Sequence, residues 1–272
     1  MDKKISVVIN TLNEEKNISA CIKSVHDFAD EIVVCDMYSD DRTVEIARSH
    51  GAKVVFHERV GFVEPARFFA ISQASHEWVL VIDADERMTE RLATKLRELA
   101  RDKSVEVVSF WSLYWYFGGW VRYGKFFNNT WTRFFRKEIY LKTYDSNEEN
   151  VHHNFSTLRA HPNNLRLGSE YHILHLAYPT IEKYVCKTVG MYARAEGEQY
   201  YKQGIRFSLR RLIGQPIRTF IDRFIVGQGY RDGIRGFILA VLYAGYRFNT
   251  WANVWLLEEL AKQKDSSQHE VL

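Results

Sequence analysis

Two carboxylates two residues apart, Asp83 and Asp85, flank Ala84 directly after the apolar run 78–82 (WVLVI). Acids spaced this way at the end of a buried strand can share one divalent cation and the diphosphate bound to it. Hard oxygen ligands suit Mg2+ or Mn2+, which keep waters and bind through few protein carboxylates plus phosphates. An acidic turn that only starts the next helix has the same composition, so the pair takes its meaning from position. Other polar sets close apolar runs in the same way. Thr11, Leu12, Asn13 and Glu15 follow 5–9 (ISVVI), Asp36, Tyr38 and Ser39 end the run EIVVCD, and loop 58–64 follows KVVFH. Arg67 comes next. Further on, 145–161 gathers Asp145, Glu148, Glu149, His152 and His153, while His172 and His175 sit in a later apolar stretch. His175 is a candidate metal or phosphate contact. Neither GxGxxG nor GxxxxGK[ST] occurs, which disfavours a dinucleotide fold and a P-loop nucleotidase.

The elements that must position these residues follow from the hydrophobic pattern. Strands are expected over 5–9, 31–36, 53–57 and 78–82. Helices are expected over 13–28, 43–50, 64–74 and 90–101, with Gly51 stopping the second and Thr89 capping the fourth. Alternation of this kind means an α/β fold with a parallel sheet covered by helices, and ligands then bind outside the carboxyl ends of the strands. From residue 105 the pattern becomes β-rich and aromatic, with strands expected over 105–117, 130–135, 139–142 and 169–176. An irregular segment is expected over 145–161 and a helix over 180–203. The expected organisation is a body of residues 1–203, divided at 103/104 where the pattern changes, and a helical tail of residues 204–272.

The 272 residues are 46% hydrophobic and 26% charged, which excludes a disordered or low-complexity chain. Cys21, Cys35 and Cys186 are odd in number and form no CxxC, so a disulfide framework and a zinc-thiolate site are disfavoured and a reducing compartment is expected. The thiols read as small buried hydrophobes. Residues 1–9 lack the pattern of a secretory leader, and no run approaches the roughly 18 apolar residues of a spanning helix. The net charge of +3 hides an asymmetry: residues 204–248 hold eight Arg and two acids. With the apolar positions of 205–224 this reads as a basic amphipathic helix for an anionic membrane surface, and nucleic acid fits poorly.

Taken in order, the motifs resemble the nucleotide-sugar glycosyltransferases of family 2, which have the GT-A fold. The resemblance rests on SVVINTLNEEKN at 6–17, EIVVCD with Ser39 and Asp40, TVEIA at 43–47, PAR at 65–67 and WVLVIDADE at 78–86. Residues 5–100 carry it closely. A looser and narrower similarity is to the bacterial lipopolysaccharide-core β-glucosyltransferase type, through Val151-His152-His153, the stretch 172–175, residues 184–187, and Asp232-Gly233 with Gly236.

The resemblance implies a Rossmann-like, mixed and mostly parallel GT-A sheet with a C-terminal helical extension. It also implies an inverting, metal-dependent transfer of a sugar from a nucleotide-sugar donor, UDP-linked, to a lipid-linked or envelope glycan. Thr11, Leu12, Asn13 and Glu15 would hold the nucleoside and Asp36 its base. Arg67 would contact the diphosphate. Asp83 and Ala84 would face the ribose or a metal-bound water, and Asp85 would ligate Mn2+ or Mg2+. Where the related proteins carry Glu after the first His, this chain has His153, so either His153 or Glu149 is the expected base. Two alternatives stay open at this stage: a sugar-phosphate nucleotidyltransferase, and a nucleotide-binding recruitment module without turnover. The expected location is the cytoplasmic face of the cell membrane.

Overall fold

The computed structural model describes residues 3–59, 64–127, 130–143 and 153–269. Four strands, β1 (Ile5–Thr11), β2 (Glu31–Asp36), β3 (Lys53–Phe56) and β4 (Trp78–Asp83), run parallel in the order β3-β2-β1-β4. Every residue of β1 is buried, as a strand covered on both faces requires. Ile5, Val7 and Ile9 pack on one side with α1 (Ile18–Val25), and Val8 packs on the other with α3 (Glu64–Ser72). Between these, α2 (Thr43–Ser49) leads into Gly51, whose φ of +76° places it in the left-handed region that ends the helix.

After Asp83 the sheet continues with mixed pairing. β5 (Glu86–Arg87) precedes α4 (Glu90–Ala100), whose first turn is capped by the Thr89 hydroxyl, which accepts from the Leu92 N–H. β6 (Val107–Tyr116) carries β7 (Gly119–Val121) as a hairpin partner, and β8 (Thr130–Arg136) lies antiparallel to both β4 and β6. Then follow α5 (Lys137–Thr143), α6 (His153–Arg159), β9 (Asn164–Arg166), which is parallel to β6, and β10 (His172–Tyr178), which is antiparallel to β5.

The structure differs from the sequence reading in four places. The first helix begins at Ile18 rather than Asn13, because Asn13 takes φ +56° and residues 14–17 form a turn. Residues 139–142 are helical, not a strand: Tyr140 buries its ring against Phe135 at a 5.2 Å centroid distance, which α5 allows by folding back on β8. Residues 153–159, expected to be irregular, form α6 and bury Leu158. Cys21 and Cys35 are buried as expected, but Cys186 is exposed on a helical surface.

By contacts the chain forms two compact units, residues 1–113 with 128–176, and residues 114–127 with 177–272. The first contains the parallel strands and their loops. The second contains α7 (Ile181–Tyr184), a π-helical stretch (Val185–Tyr192), α8 (Ala193–Lys202), α9 (Leu209–Ile221), a second π-helical turn (Asp222–Val226), a 3-10 turn (Gly229–Asp232) and α10 (Gly233–His269). The contacts thus group residues 180–203 with the C-terminal helices. The reason is visible at Gly197, where a Cβ would stand 2.9 Å from Asn253 Cβ and from the Thr250 carbonyl, so α8 lies directly on α10. Glu196 ties the same pair. Its carboxylate accepts from the Tyr200 and Tyr246 hydroxyls and lies 2.9 Å from Arg247 Nη1.

Candidate active site

The loops after β1 and β2 are stitched to one another. Asp36 is fully buried and accepts from the Thr11 hydroxyl at 2.9 Å and from the Ser39 N–H and hydroxyl at 2.7 and 2.6 Å. Asn13 donates its N–H to Ser39 Oγ and accepts from the Asp40 N–H; Glu15 accepts from the Arg42 N–H. Three of the roughly four acceptor positions of the Asp36 carboxylate are therefore taken by the protein. In this structure Asp36 holds the loop that presents Tyr38, whose exposed ring stacks on Phe56 at 5.4 Å. Half-buried Leu12 lies in the turn between Thr11 and Asn13.

At the end of β4 a chain of charges forms. Arg67, from α3, donates to Asp83 Oδ1 at 2.8 Å, and Arg133, from β8, donates to Asp83 Oδ2 at 2.9 Å. Arg133 also reaches the buried Glu86 at 2.6 Å, and Glu86 accepts the Asp83 N–H. His175, on β10, places Nδ1 3.4 Å from Glu86 and Nε2 3.4 Å from Asp85 Oδ1. Register explains the meeting, because β10 pairs with β5 so that His175 lies opposite Glu86. Ala84 is buried between the two acids, and its carbonyl accepts from Arg87.

These contacts set the protonation states. Burial would raise the Asp83 pKa, but the charges of Arg133 and then Arg67 outweigh it and hold Asp83 well below the usual carboxylate range. For Glu86 burial wins over Arg133 and the pKa rises. Burial would lower His175, yet the hydrogen bond with Asp85 and the charges of Glu86, Asp85 and Asp83 raise it.

Asp85 and His175 are the groups here that could hold a divalent cation. Both Asp83 oxygens are engaged by guanidinium groups, whereas Asp85 Oδ1 stands beside an imidazole nitrogen. Among the described residues no three His, Cys, Asp or Glu side chains converge as a complete cage. The Asp85 carboxylate is the hard oxygen ligand that Mg2+ or Mn2+ takes, and these ions complete their shells with water and phosphate oxygens.

Of the expected site residues, the structure brings Thr11, Asn13, Glu15 and Asp36 together in one loop pair, and Arg67, Asp83, Asp85 and His175 together in another cluster. Glu149 lies outside the described residues, as does the side chain of His153, whose backbone opens α6. Sequence reasoning missed Arg133 and the role of Glu86. An Arg in TWTRFFR gives no local sign of its partner 50 residues back. It also missed Asn10, 7% exposed, whose side-chain amide has no hydrogen-bond partner on either atom among the described residues and which lies in register with Asp83.

A parallel-centred mixed sheet with an acidic cluster at its carboxyl edge defines a Rossmann-like transferase of the GT-A type. The chain belongs to Glycosyl transferase family 2, whose sequence model matches residues 6–162, and it is a glycosyltransferase. It is 30% identical over 262 residues to an uncharacterized glycosyltransferase of Rickettsia typhi, spanning 90% of this chain and 85% of that one. It is 28% identical over 266 residues to the lipopolysaccharide core biosynthesis glycosyltransferase LpsC of Rhizobium meliloti, spanning 92% of each. Among solved structures, a mannosyltransferase of Pyrobaculum calidifontis in complex with GDP-Man and Mn2+ shares the fold with a TM-score of 0.57 at 14% identity, over 94% of this chain and 88% of that one.

Proposed function

We propose that this glycosyltransferase moves a sugar, with inversion, from a UDP-linked donor to a lipid-linked or envelope glycan, and that it uses Mn2+ or Mg2+. The observation that carries the reading is the convergence of Asp83, Asp85, Arg67 and His175 at the end of β4. Asp85 and His175 would hold the cation, which supplies positive charge to the departing diphosphate. Arg67 adds a second positive charge on the same side and Asp83 keeps that guanidinium oriented. The Thr11–Glu15 turn and the Asp36 loop form the nucleoside side of the cleft. A base, for which His153 and Glu149 are the proposed groups, takes the proton of the acceptor hydroxyl as it attacks the anomeric carbon. The likeness to LpsC, a lipopolysaccharide core biosynthesis glycosyltransferase, supports an envelope glycan acceptor, and the GT-A neighbour with GDP-Man and Mn2+ is consistent with a metal; the basic, apolar tail supports work at the inner face of the cell membrane.

A thermal-shift panel with UDP, GDP, CDP and TDP, each with and without Mn2+, tests the donor site. The expected result is a Mn2+-dependent rise in Tm for UDP that is lost in Asp85→Asn. An equal rise without metal, or none with any nucleotide, overturns the reading.

A further inference from the structure

Helix α9 carries an apolar stripe on its outside. Leu209, Ile213, Ile217 and Ile221 recur every four residues, and each is between 47% and 61% exposed. No residue of α9 is buried. An amphipathic helix normally turns its aliphatic face to the core. Here the polar flanks are basic, with Arg210 and Arg218 exposed beside the stripe. The two acids of residues 204–248 do not offset them, because both are engaged within the same unit. Asp222 pairs with Lys125, and the Asp232 carboxylate accepts the Arg122 and Tyr123 N–H groups. The apolar surface continues onto α10 through Phe237, exposed itself and in ring contact with Phe220 and Phe224 at 5.8 and 5.6 Å.

We infer that the outer face of α9 docks flat on an anionic phospholipid bilayer, with the Leu209–Ile221 stripe entering the interface and Arg210 and Arg218 meeting the headgroups. This extends the membrane-side placement proposed above and names the face that makes it. Two features select lipid over a second copy of the chain. An isologous contact through this face would bring the arginines of two copies together, and the nearby acid, Asp222, is already paired with Lys125. A sheet of anionic headgroups supplies the complementary charge along the whole helix. The contact is interfacial, since among the described residues no helix is long and apolar enough to cross a membrane.

The test is co-sedimentation of the full chain, without nucleotide, with vesicles of phosphatidylcholine alone or mixed with phosphatidylglycerol. Two variants accompany it: Ile213→Ser with Ile217→Ser, and Arg210→Gln with Arg218→Gln. All four side chains are exposed, so both variants should melt as the parent does and keep its UDP response. The expected result is binding to phosphatidylglycerol vesicles, about tenfold weaker without the anionic lipid and about tenfold weaker in each variant. Equal binding to both vesicle types, no binding, or unchanged binding by the variants overturns the inference. So does light scattering that finds a dimer in the parent and a monomer in the Ile variant. Because the readout needs no nucleotide, its failure is separable from failure of the donor-site reading.

Discussion

Arg133 Nη2 lies 2.9 Å from Asp83 Oδ2, and the two residues come from strands that pair antiparallel across 50 positions of sequence. The same guanidinium holds Glu86 at 2.6 Å and stacks over Trp131. One side chain thus bridges two buried carboxylates: with Arg67 it holds Asp83 well below the usual carboxylate range, while for Glu86 burial prevails and the pKa rises.

Removing that charge should be costly. Arg133→Met is expected to destabilise the fold by about 3 kcal/mol, the usual cost of leaving a buried ionic partner uncompensated. Adding Glu86→Gln should recover part of it, because the two residues interact directly. Urea denaturation midpoints of the parent, the single variants and the double variant give the coupling. A strictly additive double variant would show that Arg133 does not act through Glu86.

His175→Asn should separate cation binding from folding. The expected effect is a shift of at least about tenfold in the Mn2+ concentration needed for the UDP-dependent rise in Tm, comparable with loss of a group that supports a metal ligand. A Mn2+ titration at fixed UDP measures it. An unchanged midpoint would remove His175 from the cation site.

Asn10→Val is expected to raise the Tm measured without nucleotide. The side-chain amide is buried with no partner among the described residues, and exchanging it for an apolar branched side chain should return about 1 kcal/mol. The backbone N–H and carbonyl stay in the β1 ladder, and valine suits a strand covered on both faces. A fall in Tm would mean that the amide has a partner after all.

Acid stability should depend on Glu196. Burial would raise this carboxyl, but the Tyr246 and Tyr200 hydroxyls and Arg247 outweigh it, so its folded pKa lies below the unfolded value. A group shifted this way contributes stability that is fully present above the unfolded pKa and is lost as pH falls through the folded pKa. Urea midpoints taken from neutral pH downward should therefore fall more steeply in the parent than in Glu196→Gln, which should be less stable at neutral pH. Parallel curves would rule out this carboxylate as the source.

The parallel half of the sheet and its carboxyl edge were legible in the amino-acid order. Runs such as ISVVI, EIVVCD and WVLVI are apolar throughout, as strands buried on both faces must be, and each ends in polar residues that the chain direction sends to the same edge. The Gly51 stop and the Thr89 cap were legible because both depend on residues a few positions apart. Tertiary structure decided what those edge residues touch. Asp36 turned inward to Thr11 and Ser39, Asp83 was taken up by Arg67 and Arg133, and His175 was brought to Asp85 across 90 positions by the β5–β10 register. It also made a helix of residues 137–143, where the Tyr140 contact with Phe135 outweighs the strand propensity of the local segment, and it left the α9 isoleucines facing outward. Apolar runs and caps are written in neighbouring residues, whereas the pairing of charges depends on strand register and helix docking, which the whole chain settles together.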